Sequence, residues 1–478
     1  MTSVPATAPA QPVFGPRLAA GLTGVFIAAI MAGLNSRVAS LALMDIRGAH
    51  GFGVDPASWL DTVYLVGEIA VQPFAAWFAI TFSLRRYQMA LISVATLLAL
   101  LLPFAQSLPA MLVLRSLQGI VAGGLIPTLM MAALRFLPLP IRLHGLALYA
   151  MTATLAPNLA VWLAGAWTDQ LFDWRWIYWQ VVPLGLLSLV LCAWGLPQDP
   201  PRHERFGQGN WVGHVLLVTG LALLAVAMSQ GVRLNWFHSP LITGALTGGL
   251  IATAAGLISE WRHPSPFIRL QLLARRNLGL GFTLFIGLLV LFLSGALLPM
   301  HFLAEVQGYR PLQSGVLSLI IGLPQLVLGS LVALMLYRPW VDARKVLAAG
   351  LVLLAVVSLL FLSTSVVQPE EGPFVSGMVN MLRAFGTALG SALITQMMLE
   401  RGRFHSDMLL GNLARAGATL GLHDDRMVAL SDSVATQAPT LATADAYRVL
   451  GILALVLIPL ALCLTPVAPP RLPSPSTE

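Results

Sequence analysis

Thirteen continuous apolar stretches, each about 20 residues or longer, run through this 478-residue chain. A run of that length with few charges is what a helix needs to cross the hydrocarbon of a bilayer. The stretches fall at 18–46, 58–82, 87–106, 108–136, 141–168, 175–196, 209–230, 239–261, 278–304, 312–337, 344–365, 373–399 and 446–467. They are unbroken rather than alternating, which excludes a transmembrane β-barrel. Only 10% of the residues are charged, against about 25% in a soluble protein. The fold class is an all-α polytopic membrane protein with about 13 transmembrane helices.

The net charge of +7 is not a nucleic-acid signal, because the arginines sit in short loops between spans. Fourteen cationic residues, among them Arg17, Arg85, Arg86, Arg275, Arg276 and Arg344, lie before the first span or in the even loops, while Arg47, Arg175, Arg233 and Arg310 occupy the odd ones. Positive residues stay on the cytoplasmic side, so the N-terminus is expected there. Residues 1–17 and 468–478, rich in Pro, Ala, Ser and Thr, are expected to be disordered. Thirteen alternating spans put the polar segment 400–445, read as a loop, inside and the C-terminus outside. Cys192 and Cys463 lie in apolar runs and read as helix packing. No spacing of His, Cys or Asp suggests a metal, no arrangement suggests a catalytic site, and no cofactor is implied.

Within the fourth span, Arg115 stands in the run Leu114-Arg115-Ser116-Leu117-Gln118-Gly119-Ile120-Val121-Ala122-Gly123. A charge at that depth costs about 2.5 kcal/mol even on mild insertion scales and so calls for a partner or a function. Gly119 and Gly123 are spaced for close approach of a neighbouring helix.

This Arg-x-x-Gln-Gly run resembles the fourth-helix motif of the major facilitator superfamily. Trp174-Arg175-Trp176-Ile177-Tyr178-Trp179-Gln180, Asn235-Trp236-Phe237, Leu298-Pro299 with Gly308-Tyr309, and Asn380-x-x-Arg383-x-x-Gly386 are similar to its fourteen-span drug/proton antiporter branch. The resemblance implies two helical bundles with two extra linking helices: an N-terminal six-helix bundle at 18–196, the extra pair at 209–261, and a C-terminal bundle at 278–467. It implies a bacterial inner-membrane pump, not an enzyme, that exports amphipathic or aromatic compounds, drugs or organic acids, against proton entry. A periplasmic adaptor and an outer-membrane channel are implied partners, beside protons, substrate and lipid.

The departures are specific. The loop after the second span usually carries a Gly/Asp/Arg-rich gating motif but here reads Ala79-Ile80-Thr81-Phe82-Ser83-Leu84-Arg85-Arg86. The first span carries Asn35 and Arg37 where relatives carry an acid. Relatives also have one more span before the Pro369-Glu370-Glu371 turn, which leaves the second bundle one helix short. A non-transporting scaffold or sensor descended from such a pump is the alternative these departures leave open.

Counting about 1.5 Å per residue along each span brings Arg37, Glu68 and Arg115 within roughly 5 Å of one level. Glu68 as proton carrier with Arg115 and Arg37 tuning it, a structural ion-pair network, and an anion site on Arg37 are the three readings of that cluster. Asp61, near the outer mouth, reads as solvated. The helical spacing of Asp61, Tyr64, Glu68 and Gln72 makes one polar stripe facing the bundle interior. Asn35, Tyr64, Gln72, Gln118, Asn158, Trp162, Asn380 and Arg383 are candidates for the substrate pathway. Gly119, Gly123, Gly386 and Gly390 are read as helix contacts.

Overall fold

The structure, a computed structural model, describes residues 14–338, 341–349, 371–420 and 424–465. Helices follow the apolar runs because a backbone crossing lipid must satisfy its own hydrogen bonds. In chain order they are α1 (Pro16–Leu41), α2 (Val54–Phe82), α3 (Leu84–Phe104), α4 (Leu108–Phe136), α5 (Ile141–Gln170), α6 (Trp176–Gly195), α7 (Trp211–Gln230), α8 (Pro240–Arg262), α9 (Arg276–Glu305) and α10 (Pro311–Leu336). Three more follow: α11 (Ala343–Ala349), α12 (Gly372–Leu420) and α13 (Asp424–Leu462). No strand occurs among the described residues.

Helices α1–α6 form one bundle, and α4 is the most enclosed of the described spans. Helices α9, α12 and α13 pack together in the second bundle, which meets the first where α10 lies on α5 and α12 on α4. The pair α7–α8 packs against the first bundle through α2.

Polar contacts define the two ends. Arg17 Nε donates to Trp194 O (2.8 Å) and Arg135 pairs with Asp199 (2.8 Å), which gathers the start of α1 and the ends of α4 and α6 at one Arg-rich end. Glu371, just before α12, receives two bonds from Arg275 (2.6 and 2.8 Å) at that same end. After α13, Cys463 O and Thr465 O accept from Arg276 (2.7 Å) and Asn277 (3.2 Å), and Leu464 O accepts from Arg344 (3.3 Å). At the opposite end Trp236, between α7 and α8, donates to Gln396 of α12 (3.0 Å).

These contacts correct two expectations. Residues 400–445 are helical on both sides of 421–423 rather than a polar loop. They extend α12 beyond Gln396 by about 35 Å, with α13 returning beside it, at the Arg-poor end. Thr465 lies at the Arg-rich end, the reverse of what thirteen alternating spans give. Arg344 and Glu371 both lie at the Arg-rich end. Most of the span expected at 344–365 falls outside the described residues, as do 1–13 and the tail from 466.

Candidate functional site

The site begins with how closely α2 and α4 approach. A Cβ on Gly119 would collide with the Tyr64 backbone, one on Gly123 would meet Glu68 O at 2.5 Å, and one on Gly67 would meet Ser116 O at 2.7 Å. Only hydrogen fits at these three positions, so the helices touch backbone to backbone. The two run in the same direction, and Gly119 on Tyr64 with Gly123 on Glu68 fixes their register.

That register carries Arg115 one turn further toward the Arg-poor end, level with Asp61. Arg115 is 1% exposed, and its Nη2 lies 3.8 Å from Asp61 Oδ1. Its Nη1 donates to Gln118 Oε1 (3.1 Å) and Asn35 O (3.5 Å). The guanidinium sits 4.4 Å from the Tyr64 ring centre, and Tyr64 in turn donates to Ala32 O (3.1 Å). The direct partner of Arg115 is therefore Asp61, where span depths pointed to Glu68. Helix α2 starts at Val54, one turn before the apolar run does, and this displaces the depth count by about 6 Å.

Glu68 faces a wider set of charges. Its Oε1 accepts from Gln72 Nε2 (3.0 Å), and it interacts electrostatically with Arg383 first, then Arg37 and Arg115. Arg37 interacts with Glu68, Asp61 and Arg383 in turn, yet keeps exposed surface. Ser40, Leu41 and Met44 continue that exposed strip along α1 and beyond it toward the Arg-poor end. The cluster thus holds three arginines and two acids.

The second bundle supplies Arg383 and Asn380. Arg383 Nη1 donates to Thr152 of α5 (3.1 Å) with its guanidinium 5.7 Å from the Tyr149 ring centre. Asn380, fully buried, accepts from Tyr149 Oη (2.9 Å) and donates to Ser376 O (2.8 Å). Asn158 and Trp162 lie elsewhere, on the contact between α5 and α10, against Gly322 and Gly315. Gly386 touches Leu289 of α9, and Gly390 is buried.

Comparison with known proteins places this arrangement. The description of the Major Facilitator Superfamily matches residues 25–406. The chain belongs to that superfamily. It is 26% identical over 438 residues to the multidrug export protein EmrB of Escherichia coli, covering 84% of each chain. It is 28% identical over 331 residues to the probable multidrug resistance protein EmrY of the same organism, covering 69% of this chain and 64% of EmrY. The crystal structure of the human organic anion transporter MFSD10 shares the fold at a TM-score of 0.53 and 15% identity, covering 94% of this chain and 100% of that one. The chain is a membrane transporter of the multidrug-efflux type.

In this superfamily member the two bundles touch toward both ends of their interface. At the Arg-poor end Arg310 binds Asp169 through Nη2 (2.6 Å) and Nε (2.9 Å), with Asp45 at 3.7 Å, and Leu312 N donates to Asp169 Oδ2 (3.3 Å). At the Arg-rich end Ser376 Oγ donates to Pro127 O (2.6 Å), and a Cβ on Gly377 would meet Pro73 O at 2.5 Å. Where the charged gating motif is lacking, aromatic rings fill the space. Trp77 lies 4.6 Å from Phe267 and 6.0 Å from Trp211, Phe74 lies 4.2 Å from His214, and Arg205 stands 5.2 Å over Trp77.

Sequence reasoning gave Asp169 and Arg310 no role, and nothing in their local patterns pairs them. The aromatic cluster had a signal, since Phe74, Trp77 and Phe78 fall on one face of α2 where the usual glycines and acid are absent.

Proposed function

We propose that this protein is a proton-coupled exporter of amphipathic or aromatic small molecules, drugs or organic acids, working by alternating access. The observation that carries the reading is Glu68, a carboxylate near the boundary of two bundles that touch toward both ends, interacting electrostatically with arginines from α12, α1 and α4. An acid in the middle of a membrane is costly and is kept for function. Glu68 takes a proton when the cluster is open to one side and gives it up when open to the other, as the bundles rock about the site.

Three arginines against two acids favour substrates that bring negative charge, because a cationic drug meets an excess of like charge. The similarity to the fatty acid resistance protein FarB of Neisseria gonorrhoeae, 27% identical over 288 residues and covering 59% of this chain and 56% of FarB, agrees with organic acids among the substrates. Asn35, Tyr64, Gln72, Gln118, Asn380 and Arg383 line the path near the cluster, while Asn158 and Trp162 serve the α5–α10 contact that opens and closes it.

The excess of loop arginines supports an Arg-rich end, and with it the N-terminus, on the cytoplasmic side of a bacterial inner membrane. A periplasmic adaptor and an outer-membrane channel are proposed partners, and the α12–α13 hairpin projects on the side they occupy. An efflux assay in a pump-deficient host tests the transport reading. Lower retention of an aromatic acid when the protein is expressed supports it, and equal retention with and without the protein overturns it.

A further inference from the structure

We infer that the crevice between two linkers of the Arg-rich end, the one before α7 and the one before α9, binds the phosphate headgroup of an anionic membrane phospholipid through Arg202, Arg205 and Arg269. The inference needs only that this end lies at a bilayer surface, and it stands whether or not Glu68 carries a proton.

Local contacts bring the three arginines together. Arg202 N donates to Thr81 O at the end of α2 (2.8 Å), which lays the linker before α7 on that helix. Arg205 follows in the same short helical turn, its guanidinium 5.2 Å from the Trp77 ring centre. Ile268 N donates to Glu260 Oε2 (2.9 Å) and so fixes the linker after α8. In that linker Phe267 packs on Trp77 (4.6 Å) and Arg269 stands 4.7 Å over Phe374 of α12. Arg205, Trp77, Phe267 and Phe374 line one crevice. Burial first, then the like charges of Arg202 and Arg269, weigh against the charge on Arg205 and hold its pKa below the ordinary arginine value.

The nearby acids do not neutralise this group. Asp199 is taken by Arg135 (2.8 Å) and Glu371 by Arg275 (2.6 Å). Glu260 is fully buried, with one oxygen on Ile268 N and the other on Asn210 Nδ2 (3.0 Å). Glu204 is exposed beside Arg205 in the chain and forms no ion pair among the described residues, and neither do Arg202, Arg205 and Arg269. Three cations gathered without a paired acid make a field that attracts an anion from outside the chain.

Two observations select a lipid as its source. Trp211 and Trp261 are exposed at the start of α7 and the end of α8, as aromatic side chains are at the level of the headgroups. Basic pockets between helices on the cytoplasmic side suit lipid phosphates. The rings beneath the arginines are packed on one another, Trp77 against Phe78, Phe206 and Trp211 at 5.1, 5.6 and 6.0 Å. They form a floor rather than a slot for a planar substrate.

The test reads the melting temperature of the full-length protein in a non-ionic detergent as phosphatidylglycerol, phosphatidylcholine or inorganic phosphate is added. Phosphatidylglycerol is expected to raise it well below the concentration at which phosphatidylcholine acts, and inorganic phosphate to leave it unchanged. Each arginine near the surface is worth about fivefold in affinity, so Arg205→Gln with Arg269→Gln should move the phosphatidylglycerol half-point up tenfold or more. Arg85→Gln with Arg86→Gln removes the same charge elsewhere at the Arg-rich end and should respond as wild type does. Arg202→Gln, at an exposed position, should move the half-point about fivefold and serves if the Arg205 and Arg269 variant does not fold. An unchanged half-point in the crevice variants, or an equal shift in the Arg85 and Arg86 variant, overturns the site. A response to inorganic phosphate as strong as that to the lipid overturns the lipid as its occupant.

Discussion

Arg115 and Asp61 face each other at 3.8 Å across the seam between α2 and α4, one turn further toward the Arg-poor end than the contact of Gly119 with Tyr64. The arginine is 1% exposed and the aspartate 29%, so one partner is enclosed and the other keeps some exposed surface. This division frees Glu68, two turns along α2, from the role of structural counter-ion. It leaves that carboxylate among charges that belong to both bundles.

Removing the acid of this pair exposes its structural share. Asp61→Asn takes from the enclosed Arg115 its nearest counter-charge, a change that costs about 3–5 kcal/mol in a fully buried pair and less here because Asp61 is partly exposed and Glu68 remains, about 1–3 kcal/mol. Thermal unfolding in detergent is expected to shift down by several degrees. Arg115→Lys should not recover it, because an ammonium cannot bond Gln118 and Asn35 and also stack on Tyr64. A wild-type melting temperature in both variants would contradict this.

The glycine seam predicts opposite signs for one chemical change. Gly119→Ala drives a methyl into the Tyr64 backbone and should abolish transport with a loss of folded protein. Gly402→Ala, on the projecting hairpin with open space around it, should leave transport intact and raise stability by about 0.5–1 kcal/mol through helix propensity. Size-exclusion profiles and transport rates of the two variants check both.

A charge swap tests the closure at the Arg-poor end. Asp169→Arg or Arg310→Asp alone breaks the 2.6 Å bond between the bundles and should reduce transport severalfold. The double exchange restores opposite charges across the same contact and should recover much of the rate. No recovery would show that the pair serves packing of α5 on α10 rather than closure.

Topology is open to labelling. Cys463 is exposed beside Asn277 and Arg276, at the end assigned to the cytoplasm. A membrane-impermeant maleimide should label it in inside-out vesicles and not in intact spheroplasts, while Gly411→Cys on the hairpin should show the reverse. Labelling of both from one side would contradict the course of α12 and α13.

The polar stripe on α2 and the glycines of α4 were legible because a 3.6-residue period fixes which residues share a face. The partner of Arg115 was not, because the first turn of α2, with Asp55, is helical although it lies outside the apolar run. Hydropathy marks where a helix enters lipid, not where it starts. The helicity of 400–420 and 424–445 was hidden because these turns are too polar to read as a span, although Val434, Ala438 and Ala442 are buried and His405 pairs with Asp445 at 2.8 Å. Contacts between bundles, Asp169 with Arg310 and Arg383 with Thr152, join positions more than a hundred residues apart, and no local pattern carries them.

The central claim is that Glu68 carries the coupling proton. Its most direct measurement is uptake of an aromatic acid into proteoliposomes containing wild-type protein or Glu68→Gln, with and without an imposed pH gradient. The account predicts that Glu68→Gln binds and exchanges the acid downhill but gains less than a tenth of the gradient-driven uptake of wild type, about 1.4 kcal/mol or more of lost coupling. Undiminished gradient-driven uptake by Glu68→Gln would contradict it.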